Sequence, residues 1–242
     1  MKTKIENIKL SHGTSHEVKT IIFFYETDPN DQKYIDDLLE EADALSKKVN
    51  KSAANDGTRR RHEFVIKANT IAGLLAEDLW KQSINEICDE DIVYRPEPED
   101  LGNQIDIASI DDEFTMEVRS SFPRNGIQFA VSNERHGFKI VGPYTNGYKD
   151  HENDRDFYLT ALFPLNRPGD IVEGIKKDNF SFSLTGGATL EMMKGSDAVS
   201  FTSNLSPEDS PTTTQTEYQV INIRDGLDYS QILEEIQDTV CE

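Results

Sequence analysis

Gln104-Ile105-Asp106-Ile107-Ala108-Ser109-Ile110-Asp111-Asp112-Glu113-Phe114-Thr115-Met116-Glu117-Val118-Arg119-Ser120 consists of two apolar runs joined by an acidic turn. In the second run Phe114, Met116 and Val118 alternate with Thr115, Glu117 and Arg119, the period-two pattern of a strand with one buried face. Glu117 and Arg119 therefore share a face, about 7 Å apart. In the first run Ile105 and Ile107 flank Asp106, which points away from them. A hairpin with a two- or four-residue turn brings Asp106 onto the face of Glu117 and Arg119. An odd turn length reverses it unless a bulge restores the register. Two carboxylates on one sheet face repel each other, and burying them is costly unless a proton or a cation intervenes. A hard divalent ion, held by carboxylates, carbonyls and water, is the natural partner.

Upstream, Phe64, Ile66, Ile71, Leu74, Leu75, Leu79, Trp80, Ile84 and Ile87 recur at helical spacing, predicting a long helix over 63–87. Asn69-Thr70 and Gly73 predict a kink or a split at its centre. Further back, an apolar run at Ile21–Tyr25 precedes a turn at Asp28–Asp31 and an amphipathic helix over 31–49. Residues 1–58 read as an N-terminal helical segment packed on a principal domain over 59–242. Downstream, strands are predicted at 127–131, 137–141 and 218–223, with a further apolar segment at 158–163 and a bent β segment or hairpin over 180–193 around Gly186-Gly187. Residues 203–215, rich in Ser, Thr and Pro, read as a loop, and 229–239 as a helix. This order predicts an α/β (or α+β) domain with a central mixed β-sheet flanked by helices.

The Asp106 strand followed by Glu117-Val118-Arg119, behind the helical string Gly73-Leu74-Leu75-Ala76-Glu77-Asp78-Leu79-Trp80, resembles the metal-binding core of PD-(D/E)XK nucleases, a superfamily that includes many restriction endonucleases. The resemblance covers about 63–131. It implies a restriction-endonuclease-like core in which Asp106 and Glu117 ligate Mg²⁺, with Mn²⁺ as a substitute, and Glu77 is an accessory ligand. Arg119 stands where the family carries a catalytic lysine, and Gln128 would be an auxiliary polar residue on the next strand. The implied activity is a DNA endonuclease that hydrolyses phosphodiester bonds through a metal-activated water, with double-stranded DNA as partner and a homodimer as assembly. Arginine keeps the positive charge and binds phosphate through its planar fork, but it does not release a proton at working pH. A catalytically weakened or inactive nuclease fold that binds nucleic acid or protein is therefore the alternative.

The formal net charge of -20 argues against coating nucleic acid by bulk attraction. Its distribution is uneven. Between Arg119 and Lys149 stand five basic residues, Arg119, Arg124, Arg135, Lys139 and Lys149, against one acid, Glu134. Arg59-Arg60-Arg61 with Lys67 makes a second basic island. Arg124, Arg135, Lys139, Tyr144, Asn146 and Lys149 are the candidate nucleic-acid contacts, although Gly142-Pro143-Tyr144 and Asn146-Gly147 are also ordinary turn chemistry. Cys88 and Cys241 are too few for a disulfide framework and read as free thiols. The histidines read as surface or capping groups. With no apolar run near the roughly 20 residues of a membrane span and no secretory pattern, the sequence predicts a cytoplasmic protein without membrane contact.

Overall fold

The structure, a computed structural model, describes residues 1–11, 13–48, 62–97, 105–133, 138–145, 153–205 and 214–240. In chain order these form β1 (Lys2–Lys9), β2 (Ser15–Phe24), α1 (Pro29–Ser46), α2 (Glu63–Cys88), β3 (Val93–Tyr94), β4 (Ile107–Ser109), β5 (Thr115–Ser121) and α3 (Ile127–Ser132). They continue with β6 (Lys139–Thr145), β7 (Phe157–Leu162), α4 (Asp170–Gly174), β8 (Asp178–Thr189), α5 (Leu190–Lys194), β9 (Val199–Leu205), β10 (Thr214–Asn222) and α6 (Tyr229–Val240). Seven strands form a mixed sheet in the order β1-β2-β8-β7-β5-β4-β3, and β6-β10-β9 form a second, antiparallel sheet. The α/β class expected from the sequence is the observed one.

Alternation along the strands sorts the core into two layers. Met116 and Val118 of β5, Phe157, Leu159 and Ala161 of β7, and Phe180, Phe182 and Leu184 of β8 turn to one cluster with α1, α2 and α6. Tyr158 and Leu162 of β7, Ala188 of β8 and Val18 of β2 turn to another, which is closed by Ala130 and Val131 of α3, Ile140 of β6 and Ile221 of β10. Helices therefore cover one face of the large sheet, and the small sheet with α3 and α5 covers the other.

The N-terminal region is not the helical segment expected over 1–58. β1 and β2 pair in full register from Lys2↔Ile22 to Lys9↔Ser15, and β2 joins β8, so both belong to the main sheet. β1 escaped notice because Lys2, Lys4, Glu6 and Lys9 give it no apolar pattern, as befits a charged edge strand. α1 forms as expected: the Asp28 side chain accepts the Asn30 N–H at 2.9 Å, Pro29 opens the helix, and Ile35, Leu38 and Ala42 are buried.

α2 runs unbroken for 26 residues through Gly73. Ile71, Leu74, Leu75, Leu79, Trp80 and Ile84 are buried along it, and burial worth about 1.5–3 kcal/mol for each large apolar side chain outweighs the roughly 1 kcal/mol cost of one glycine. Cys88, at its C-terminal end, is disulfide-bonded rather than a free thiol. Residues 127–131 are helical, not the expected strand, because Gly126 at φ 83° starts a turn and Ile127, Ala130 and Val131 meet the core at helical spacing. Segment 203–215 is not simply a loop, since β9 and β10 enter it from both sides.

β8 also continues through Gly186-Gly187, with a bulge against β7 between Leu184 and Gly187, so the glycines mark the expected bend and not a hairpin turn. Gly186 has φ 99°, and a Cβ there would stand 2.0 Å from the Leu227 carbonyl oxygen; one on Gly187 would stand 2.4 Å from the Tyr158 oxygen. The glycines admit a close backbone approach, with Gly187 and Leu227 exchanging N–H···O bonds of 2.9 Å. Gly186→Ala is expected to lower unfolding stability by at least about 2 kcal/mol, read from urea denaturation. An unchanged midpoint would contradict this packing.

Candidate functional site

The β4–β5 turn sets the site. Ile107↔Met116 and Ala108↔Thr115 are paired, so one step further Asp106 stands opposite Glu117. The intervening turn, 110–113, has four residues, the even length that puts both carboxylates on one face. It is held by Asp112 N–H to Ser109 O at 3.0 Å and by the Ser109 hydroxyl, which accepts the N–H groups of Glu113 and Phe114 at 3.0 and 3.2 Å. Asp112 adopts φ 60°, a left-handed geometry that aspartate tolerates.

Asp106 accepts the Val118 N–H at 2.8 Å through Oδ2. The residue keeps some solvent contact, yet its carboxyl lies among protein atoms. Burial, with the nearby charges of Glu117 and Glu77, pushes it well above the usual carboxylate range, against the pull of the Val118 N–H and Arg119. Glu77 projects from α2, and burial pushes its carboxyl up to about 7; Arg95 opposes this shift, and Glu117 adds to it. Arg95 Nε lies 3.2 Å from Glu77, and its other end pairs with Glu41 of α1. Glu117 is only 7% exposed. Its Oε1 is 3.0 Å from Arg119 Nη2, and its Oε2 is 3.8 Å from Nε of the buried Arg155.

Glu77, Asp106, Glu117 and Arg119 are thus brought into one electrostatic neighbourhood. In kind, the three carboxylates offer the oxygen ligands of a hard divalent cation, and burial, reinforced by their mutual proximity, raises the proton affinity of Asp106 and Glu77. Among the described residues, no group of three or more His, Cys, Asp or Glu side chains is spaced to hold a metal ion. The carboxylates sense one another without closing around a single point, and arginines face both oxygens of Glu117. Gln128 does not join them; it is exposed on α3. His16 is not a surface group either: it is buried in β2 with Nε2 2.7 Å from Thr185 O, and burial lowers its pKa.

Beyond Arg119 a cleft of about 970 Å³ opens between the end of β5, the β6–β10 face and the turn at Asn166–Pro168. Of the expected nucleic-acid contacts, Arg124, Lys139 and Tyr144 line it; Arg135, Asn146 and Lys149 lie outside the described residues. The sequence reading missed Arg155, Arg95, Arg167 and Tyr218. Arg155 and Arg167 lie beyond the basic island in sequence and reach the site only through folding, so local pattern carried no signal for them.

The fold and site are those of a mixed α/β domain with a carboxylate–arginine cluster beside a cationic cleft. The chain is 26% identical over 156 residues to the uncharacterized protein MJECS01 of Methanocaldococcus jannaschii, an alignment covering 58% of this chain and 52% of that protein. The chain thus spans about half the length of this relative. No family model and no solved structure matches it. Among the described residues, no helix is long and apolar enough to cross a membrane.

A carboxyl whose pKa is raised in the folded state holds a proton that the unfolded chain has already released, so stability falls as pH rises through that window. For Glu77 the window runs from its ordinary 4.5 to about 7, a differential of roughly 3 kcal/mol. In metal-free buffer the melting temperature should drop across this range more steeply for the wild type than for Glu77→Gln. Parallel curves would remove Glu77 from the cluster.

Proposed function

We propose that this chain is a metal-dependent DNA endonuclease with a PD-(D/E)XK-like site. The observation that carries the reading is the proximity of Glu77, Asp106 and Glu117 to one another and of Glu117 to Arg119, which lines a cleft whose described lining contains no acid. Asp106 and Glu117 would hold Mg²⁺ or Mn²⁺, with Glu77 as accessory ligand. The bound ion would supply an acidified water and a Lewis acid for the phosphoryl oxygen.

The chain's own groups would do the positioning. Arg119 reaches from Glu117 towards the cleft and presents a permanently charged fork to a phosphate, where it would offset charge developing in the transition state. Arg155, buried behind Glu117, adds a second fixed positive charge. Asp106 is oriented by the Val118 N–H. Arg95, braced by Glu41, holds Glu77 in place.

A second reading rests on the same arginines. Both Glu117 oxygens already face guanidinium groups, an arrangement that favours a binding module with a disabled centre. Incubation of plasmid and linear DNA with Mg²⁺ or Mn²⁺ separates the two readings. The nuclease reading expects cleavage that EDTA abolishes and that Asp106→Ala reduces at least roughly 100-fold. Cleavage by Arg119→Lys alone would identify a disabled nuclease. No cleavage by either form would leave the binding module.

A further inference from the structure

The cleft beside Arg119 differs in chemistry from the rest of the surface. On a chain of net charge -20, the described lining carries four cations, Arg119, Arg124, Lys139 and Arg167, and no aspartate or glutamate. Four aromatic rings, Phe122, Phe138, Tyr144 and Tyr218, are interleaved with them, each half-buried. Tyr144 and Tyr218 are directly opposed across β6 and β10, with ring centroids 5.5 Å apart. The Arg119 guanidinium lies 5.6 Å from the Tyr144 centroid, so one residue links this aromatic wall to the carboxylate cluster.

Cations alone would suit any phosphate backbone. Aromatic rings among them are useful to a narrower class of ligand. In a duplex the base faces are stacked inside the helix, and a protein meets only phosphates, sugars and groove edges. In an unpaired strand each base offers a face, and stacking on a protein ring is worth roughly 1–3 kcal/mol per base. A groove that combines a cationic track with ring faces is the arrangement that single strands use. The acidic body works in the same direction, because a broad duplex footprint would bring phosphates over negative surface, whereas a strand threaded through the cleft meets mainly its cationic lining.

We infer that the cleft binds an unpaired nucleic-acid strand, its phosphates along Arg124, Lys139 and Arg167 and its bases against Tyr144 and Tyr218, and delivers it to the carboxylate cluster. This replaces the double-stranded partner expected from the sequence. The inference rests on the nuclease reading for what happens at the cluster, while its test reads binding alone.

The experiment is fluorescence anisotropy in EDTA with the full chain, using a labelled single-stranded DNA oligonucleotide, the same sequence as RNA, and the same sequence as a blunt duplex. The expected result is that at least one single strand binds ten times or more tighter than the duplex; the DNA and RNA arms distinguish the two sources of strand. With four cations in the cleft, the slope of log affinity against log salt should be no steeper than about -3. Tyr218→Leu, which keeps apolar bulk and removes the ring, should weaken single-strand binding roughly tenfold and leave duplex binding unchanged, while Tyr218→Phe retains it. Lys139→Ala, at an exposed position, should flatten the salt slope by about 0.7 and serves as the second variant if Tyr218→Leu does not fold. Equal or tighter duplex binding, or single-strand binding unaffected by both Tyr218→Leu and Lys139→Ala, would overturn the inference. Strand binding without cleavage would defeat only the nuclease reading, and duplex cleavage without strand preference only this one.

Discussion

β5 and β7 run parallel and pair from Met116↔Phe157 to Ser121↔Leu162. Parallel neighbours cannot be joined by a tight turn, so the chain must travel from the end of β5 back to the start of β7. Residues 122–156 make that crossing, and α3 and β6 lie within it. β6 pairs with β10 and so founds the second sheet, which packs through Ile140 and Ile221 against Tyr158 and Leu162 on the free face of the first. The cleft exists because this returning layer faces the end of β5. The same pairing brings Arg155, just before β7, to the buried side of Glu117.

Charge is distributed over this frame in an economical way. The acidic excess that keeps the chain at -20 lies largely outside the cleft, and the carboxylates that enter the site meet arginines: Glu77 with Arg95, and Glu117 with Arg119 and Arg155. Asp106 has a backbone N–H and a more distant Arg119, and its carboxyl is pushed upward by burial and its two acidic neighbours. A cluster arranged in this way responds to pH and to cations, since protons, arginines and a dication compete to neutralise the same oxygens. Arg119 has a double position in that competition, 3.0 Å from Glu117 and stacked near Tyr144.

The side chains of the site fall into two groups. The carboxylate cluster depends on a hairpin register and is local to 106–117, apart from Glu77. The cleft gathers residues from α2, β5, β6, β10 and the 166–168 turn, and its meaning lies in which chemistries are brought together and which are kept out.

This division also governs what could be read in advance. Alternation along 114–119 and the flanking isoleucines around Asp106 determined that Asp106, Glu117 and Arg119 share a face once the turn is even, because side-chain direction in a strand follows from period two alone. Helical spacing likewise marked α1, α2 and α6. Short or charged segments misled: β1 has no apolar signal, and 127–131 fits strand and helix until Gly126 decides. Only the tertiary structure decided that β8 continues through its two glycines as one bulged strand, that Arg155 lies beside Glu117, and that Tyr218 faces Tyr144. Each of these depends on contact between residues far apart in the chain, and the partner that selects among local alternatives is supplied only when the crossing between β5 and β7 has been made.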